Sequence, residues 1–402
     1  MIICYFLEFE KVILALYIKI KIVNMNINKT INQTLMILLI FFMFYKAYIM
    51  IMTYDEAYTY LNYSYTKDFK NLTLANNHYL NSLLIYFSSL ISEDAIFIRL
   101  PNIISGIFYL FLSYKISMIS RYSVATFILF CSTPVLIDFF VHARGYGIST
   151  FLNLLAVYLY FYLGKKELAL LALFFSSLSI PICLIVLFSF FPMYLIEKYK
   201  ENKLKISLFI VLIFSTLSAP IIFWTFRITQ NNLPLFGLDS LDLKYLFLSF
   251  FGFLKLYMFN NVLVGSIFFI IFIMSILKLI ENKRNNIWIV NITVLFLLYF
   301  LPLLFSKPFP TERILVPFWP FFLFQFSIFL NLLNKSVIKV SAPVFIFLVL
   351  NFFNIQSINE SLTWNSSTKG IDRYDVKNNF CTIVLKEYVS DYYKQIYNLD
   401  CS

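Results

Sequence analysis

Two adjacent carboxylates, Asp55 and Glu56, directly follow an apolar run, Thr34 to Met52, that is long enough to cross a bilayer. Pushing a carboxylate into hydrocarbon is costly, so acids at the mouth of such a run are not there for packing. At the interface an acid stays ionised and can take a proton from a hydroxyl held beside the membrane. Asp55 is the candidate catalytic base, and Glu56 beside it is a second candidate. Arg99, Arg144 and Arg313 fall at or near the ends of other apolar runs, together with Asp138, His142, Arg227, Lys307 and Glu312. Arginine never loses its charge and pairs bidentately with phosphate, so this set suits an anionic, phosphate-bearing lipid.

Each of these residues also has a structural reading. Asp55 and Glu56 would serve as the N-cap and first-turn acid of a surface helix. Arg99 would serve as a snorkelling interface residue or an ion-pair partner, as well as a substrate contact. Arg144 lies between Ala143 and Gly145, with Gly147 beyond, where backbone can approach a ligand closely; its structural alternative is an ion pair with Asp138. Glu312 is placed to neutralise Arg313.

The elements that must position these groups are membrane helices. The 402 residues are 60% hydrophobic and only 13% charged, with a mean hydropathy of +0.79; a soluble domain carries about 25% charged residues. The composition and repeated apolar runs predict an all-α polytopic membrane protein with about 11 transmembrane helices. The expected spans are 31–52, 95–117, 122–140, 146–163, 168–180, 181–196, 206–224, 262–280, 287–305, 314–333 and 340–356. The pair around Pro181 is short, which suits two half-length helices or one kinked hairpin. Three parts follow: a cytoplasmic or interfacial segment 1–30, a membrane domain 31–356, and a polar outer-side tail 357–402. Met1 to Asn24 is too charged for a span and lacks a small-residue cleavage site; Met25 is an alternative start.

The net charge of +11 is explained by its distribution and not by nucleic acid. Lys115 and Arg121, Lys165 and Lys166, Lys198 to Lys205, Lys278 to Arg284, and Lys335 and Lys339 fall on alternate short turns, which places those turns in the cytoplasm. The N-terminus is then inside, and the first outer loop, 53–94, is outside with the tail. That loop, with its amphipathic stretch Leu80 to Ile91, predicts one or two helices on the membrane surface. With two histidines and no zinc-type cysteine spacing, a His-rich metal site is excluded. Cys131 and Cys183 fall in spans as small hydrophobes, while Cys381 and Cys401 could pair if the tail is outside.

The order of segments carries a resemblance. Asp55-Glu56-Ala57-Tyr58 after the first span, Asn77-His78, Ser82-Leu83-Leu84, and Arg99-Leu100-Pro101-Asn102 opening the next span resemble the membrane glycosyltransferases of the GT-C fold. These include the protein O-mannosyltransferases and the bacterial transferases that move aminoarabinose onto lipid A. His142-Ala143-Arg144-Gly145-Tyr146-Gly147 resembles that family's Ala-Arg-x-Tyr segment, and Pro310 to Pro320 resembles its late outer loop. The resemblance covers roughly 31–330. It implies a polyprenyl-phosphate sugar donor, an acceptor hydroxyl on a glycan, lipid or protein, and Asp55 as base. The implied substrate-binding residues are Arg99, His142, Arg144, Tyr146 and Arg313, working with or without a divalent metal ion. The family often has His-Pro-Pro-Leu where this chain has His78-Tyr79-Leu80-Asn81. A plasma-membrane location, with the active site on the outer face, is the expectation. A transporter or flippase for a lipid-linked or anionic solute, and a surface-polysaccharide polymerase or ligase, are the alternatives. A transporter predicts internal repeats and ionisable groups at mid-depth, whereas the mid-span segments here are nearly free of charge.

Overall fold

A computed structural model describes residues 2–67, 78–131, 134–231, 262–282, 287–304, 312–332 and 387–397. Those residues form helices and no strand. The helix α1 (Ile2–Ile49) includes the mixed N-terminal stretch as well as the first apolar run. The short α2 (Tyr54–Thr59) continues into a π-helical stretch, Tyr60–Tyr65. Next come α3 (Tyr79–Ser89), α4 (Ala95–Ile119), α5 (Ser123–Cys131), α6 (Pro134–Val141), α7 (Gly145–Phe161), α8 (Lys166–Ser179), α9 (Leu184–Lys200) and α10 (Leu204–Asn231). After them lie α11 (Val262–Asn282), α12 (Ile287–Leu304), a 3₁₀ turn Glu312–Phe318, α13 (Trp319–Leu332) and α14 (Glu387–Tyr397). The expected span 340–356, the patch around Thr382 to Leu385, and the Cys381 and Cys401 pair lie outside the described residues.

Among the described residues, five stretches are long and apolar enough to cross a membrane: Asn26–Ile49, Ala95–Ile119, Pro181–Lys200, Leu204–Phe223 and Leu315–Leu332. Their surroundings agree with their composition. Phe41, Phe209, Leu212 and Phe223 point outward, each more than three-fifths exposed, whereas Asn102, Ser113, Asn153 and Gln325 are completely enclosed. Apolar outside and polar inside is the arrangement that a lipid solvent favours, because interior polar groups then join helices by hydrogen bonds. Gln325 donates to Ser275, and Asn291 donates to Gln325 at 2.6 Å, tying α11, α12 and α13 together.

One expectation about spans is revised, and around Pro181 one of the two expected arrangements is found. The run 122–140 is divided: α5 ends at Cys131 and α6 begins at Pro134, because proline's missing N–H suits a helix start and breaks a helix interior. Around Pro181 the chain forms an antiparallel hairpin. Ile180 is extended, Pro181–Cys183 makes one 3₁₀ turn, and α9 returns alongside α8. Lys166, opening α8, reaches Glu197 at 2.9 Å and Glu201 at 3.1 Å near the end of α9, which fixes the hairpin's open end. Lys165 and Lys166 were expected only as topology markers; Lys166, with Lys198 on Glu167, also latches the hairpin.

At the centre, α4 packs against α1, α3, α5, α6 and α7. Gly106 permits two of these approaches. A Cβ there would stand 2.9 Å from Phe140 Cβ on α6 and 3.0 Å from Met43 Sδ on α1. We predict that Gly106→Val lowers the thermal midpoint of the detergent-purified protein, with an overpacking cost of about 1–3 kcal/mol. An unchanged midpoint would mean that α1 and α6 do not close on α4 here.

Candidate functional site

The end of the bundle that carries α2 is built on a completely buried ion pair. Thr53 caps α2 in extended conformation, and Glu56 answers in a capping box: Thr53 N donates to Glu56 Oε2 at 2.9 Å. From α4, Arg99 meets the same carboxylate, donating from Nε to Oε1 and from Nη2 to Oε2, each at 2.9 Å. Its remaining N–H groups donate to the carbonyls of Ala47, Met50 and Ile51, all at 2.7 Å, where α1 runs out of intrahelical partners. Every one of the five guanidinium donors has an acceptor. Ala143 N completes the set, donating to Glu56 Oε1 at 2.7 Å. Burial alone would raise the Glu56 carboxyl, but the charges of Arg99 and His142 and the hydrogen bonds from Arg99 and Ala143 hold it at about 2. Glu56 and Arg99, expected to touch substrate, are thus engaged with each other in the interior.

One residue earlier, Asp55 turns to a different face of α2. Its Oδ2 lies 3.5 Å from Arg144 Nη2; the Asp55 side chain is 19% exposed and that of Arg144 only 6%. Arg144 is the extended residue that opens α7, and its position is set by the turn before it. Ala143 is held through both backbone groups: N–H to Glu56, and C=O accepting from Asn81 Nδ2 at 3.0 Å. Asn81 Oδ1 in turn accepts from Asn102 Nδ2 at 2.8 Å, joining α3 and α4 beneath the turn.

The two glycines beside Arg144 make close approaches to protein and not to open space. A Cβ at Gly145 would meet the Ser179 carbonyl at 2.5 Å and His78 Cβ at 3.0 Å; one at Gly147 would meet the Phe139 carbonyl at 2.6 Å. Tyr146 is nearly buried, with Arg144 6.0 Å from its ring centre and His78 standing edge-on at 5.5 Å. Burial, reinforced by the Arg144 charge, holds the His78 imidazole well below its ordinary pKa, hence neutral.

The other expected residues are placed as follows. His142 is fully enclosed, its Nδ1 against the Asp138 carbonyl. The Asp138 carboxylate pairs with Lys46 at 2.7 Å, and the described ion pair of Arg144 is with Asp55. Lys46 was missed, although a charge three residues before the end of a membrane helix is itself a signal. Arg313 is the second residue of the 3₁₀ turn Glu312–Phe318, which packs on α7, where Asn153 Nδ2 donates to Pro317 O at 2.7 Å; the Arg313 side chain is outside the described residues. Among the described residues, no three His, Cys, Asp or Glu side chains form a group able to hold a metal ion. The described ion pairs all lie near helix ends. Comparison of the chain with protein-family models, with curated proteins and with solved structures returns no match.

Glu56→Gln should cost about 3–5 kcal/mol, because it leaves Arg99 buried opposite a neutral amide. The pH dependence has a definite sign. A carboxyl at about 2 in the fold, against an ordinary 4.5, stabilises fully above pH 4.5 and loses that contribution as pH falls toward 2. Thermal midpoints measured across that window should fall more steeply for the natural chain than for Glu56→Gln. Parallel curves would contradict the clamp.

Proposed function

We propose that this chain is a GT-C-like membrane glycosyltransferase that moves a sugar from a polyprenyl-phosphate donor to an acceptor hydroxyl at the outer face of the plasma membrane, using about eleven spans. The carrying observation is the Asp55–Arg144 pair: a partly exposed carboxylate 3.5 Å from a nearly buried guanidinium, at the end of a helical bundle. This pairing supplies the two charges that the reaction needs. The acceptor oxygen bonds to the anomeric carbon while that carbon's bond to the phosphate oxygen breaks from the opposite face, inverting the centre. The hydroxyl proton passes to Asp55, and the electron pair of the broken bond leaves on polyprenyl phosphate. Arg144 balances the phosphate charge, with Tyr146 against its side chain, and Arg313 is the proposed second phosphate contact. Glu56 and Arg99 act as positioning residues. Among the described residues, no three His, Cys, Asp or Glu side chains gather at Asp55 to hold a divalent ion.

The placement of ion pairs near helix ends favours a transferase over a transporter, which needs ionisable groups at mid-depth. The test is transfer from radiolabelled polyprenyl-phosphate sugars by purified protein. Asp55→Asn should lose activity by about 10²–10⁴-fold with its thermal midpoint kept, the usual worth of a general base. Full activity in that variant would remove Asp55 from the mechanism.

A further inference from the structure

Seven of the tyrosines on α2, its π-helical continuation and α14 fall into two sets. Tyr60, Tyr63, Tyr392 and Tyr393 are buried, and Tyr392 donates its hydroxyl to the Glu93 carbonyl at 2.9 Å, fastening α14 to the loop before α4. Tyr54, Tyr58 and Tyr388 look the other way. Tyr54 is 38% exposed, and the other two are half-buried. Tyr388 stands edge-on to both partners, 5.3 Å from Tyr54 and 4.8 Å from Tyr58, while Tyr54 and Tyr58 lie nearly parallel, 25° apart. Tyr54 immediately precedes Asp55, and exposed Glu387 immediately precedes Tyr388. Both carboxylates act on the Tyr54 hydroxyl, so the face combines aromatic rings with two carboxylates.

We propose that Tyr54, Tyr58 and Tyr388 form the acceptor-binding face, and that the acceptor it takes is an uncharged carbohydrate. A sugar presents C–H surfaces that lie on aromatic rings and hydroxyls that need acceptors; the rings and the carboxylates of Asp55 and Glu387 supply both. Charge complementarity selects among occupants. The carboxylates of Asp55 and Glu387, both acting on Tyr54, disfavour a negatively charged glycan laid on these rings. Burial, then the neighbours Tyr388, Tyr58, Asp55 and Glu387, raise the Tyr54 hydroxyl above its ordinary pKa, so it remains a hydrogen-bond donor. The role assigned to this face rests on the transferase reading; the face itself binds sugar with no donor present.

The experiment is saturation-transfer NMR on the detergent-purified full chain, without donor. The probes are uncharged glucan, mannan and galactan hexasaccharides and the corresponding hexuronates. Uncharged oligosaccharides should give transfer signals and hexuronates should not. Tyr54→Ala and Tyr388→Ala, checked for an unchanged thermal midpoint, should weaken binding about tenfold, while Tyr54→Phe, which keeps the ring, should bind as the natural chain does. Equal binding of hexuronates, no binding of any uncharged probe, or natural affinity in both alanine variants would each overturn the proposal. Full transfer activity in Asp55→Asn would instead sink the transferase reading and leave the sugar-binding face standing.

Discussion

The α2 end of this molecule depends on one buried contact, Glu56 against Arg99. Neither side chain touches solvent, so the cost of stripping water from both must be met by partners inside the protein. It is met fully: five donors of the guanidinium face carbonyls and a carboxylate, and the carboxylate also accepts from two backbone amides. The contact joins the end of α1, the start of α2, the first turns of α4 and the turn before α7. Those are the elements that carry Asp55 and Arg144. The pair that faces outward inherits its geometry from the pair that does not.

The rest of the bundle follows the same economy of polar groups. Where the surroundings are lipid, side-chain amides and hydroxyls gain by turning inward, and the described helices are linked by such bonds, Asn32 to Ser117 and Ser123 among them. Small residues then decide how closely helices approach. Gly145 allows the end of α8 and the residue before α3 to close over the start of α7, which sets His78 against Tyr146 and Tyr146 beside Arg144. The glycines therefore shape the site by tightening protein around it.

Much of this was legible in the residue order. Asp55 and Glu56 stand together at the mouth of an apolar run, and basic turns alternate with longer polar ones. What could not be read was the division of roles between two neighbouring acids, because that depends on which helix each side chain meets after folding. The Lys46–Asp138 pair was hidden for the same reason: the two residues lie far apart in sequence, and only packing brings them together. The tail helix α14 left a usable signal that was overlooked. Val389, Tyr392, Tyr393 and Ile396 recur at helical spacing, and the first three are buried against the α2 region. The break at Pro134 was equally visible as a residue that starts helices and interrupts them.

The central claim is that Asp55 and Arg144 face the reacting groups while Glu56 and Arg99 hold them there. The most direct measurement is an electron cryomicroscopy structure of the chain in lipid nanodiscs with a polyprenyl-phosphate sugar bound. The account predicts the phosphate within hydrogen-bond reach of Arg144, the anomeric carbon beside Asp55, and the Glu56–Arg99 pair unchanged. A lipid phosphate bound elsewhere, with Asp55 closed off from the sugar, would contradict it.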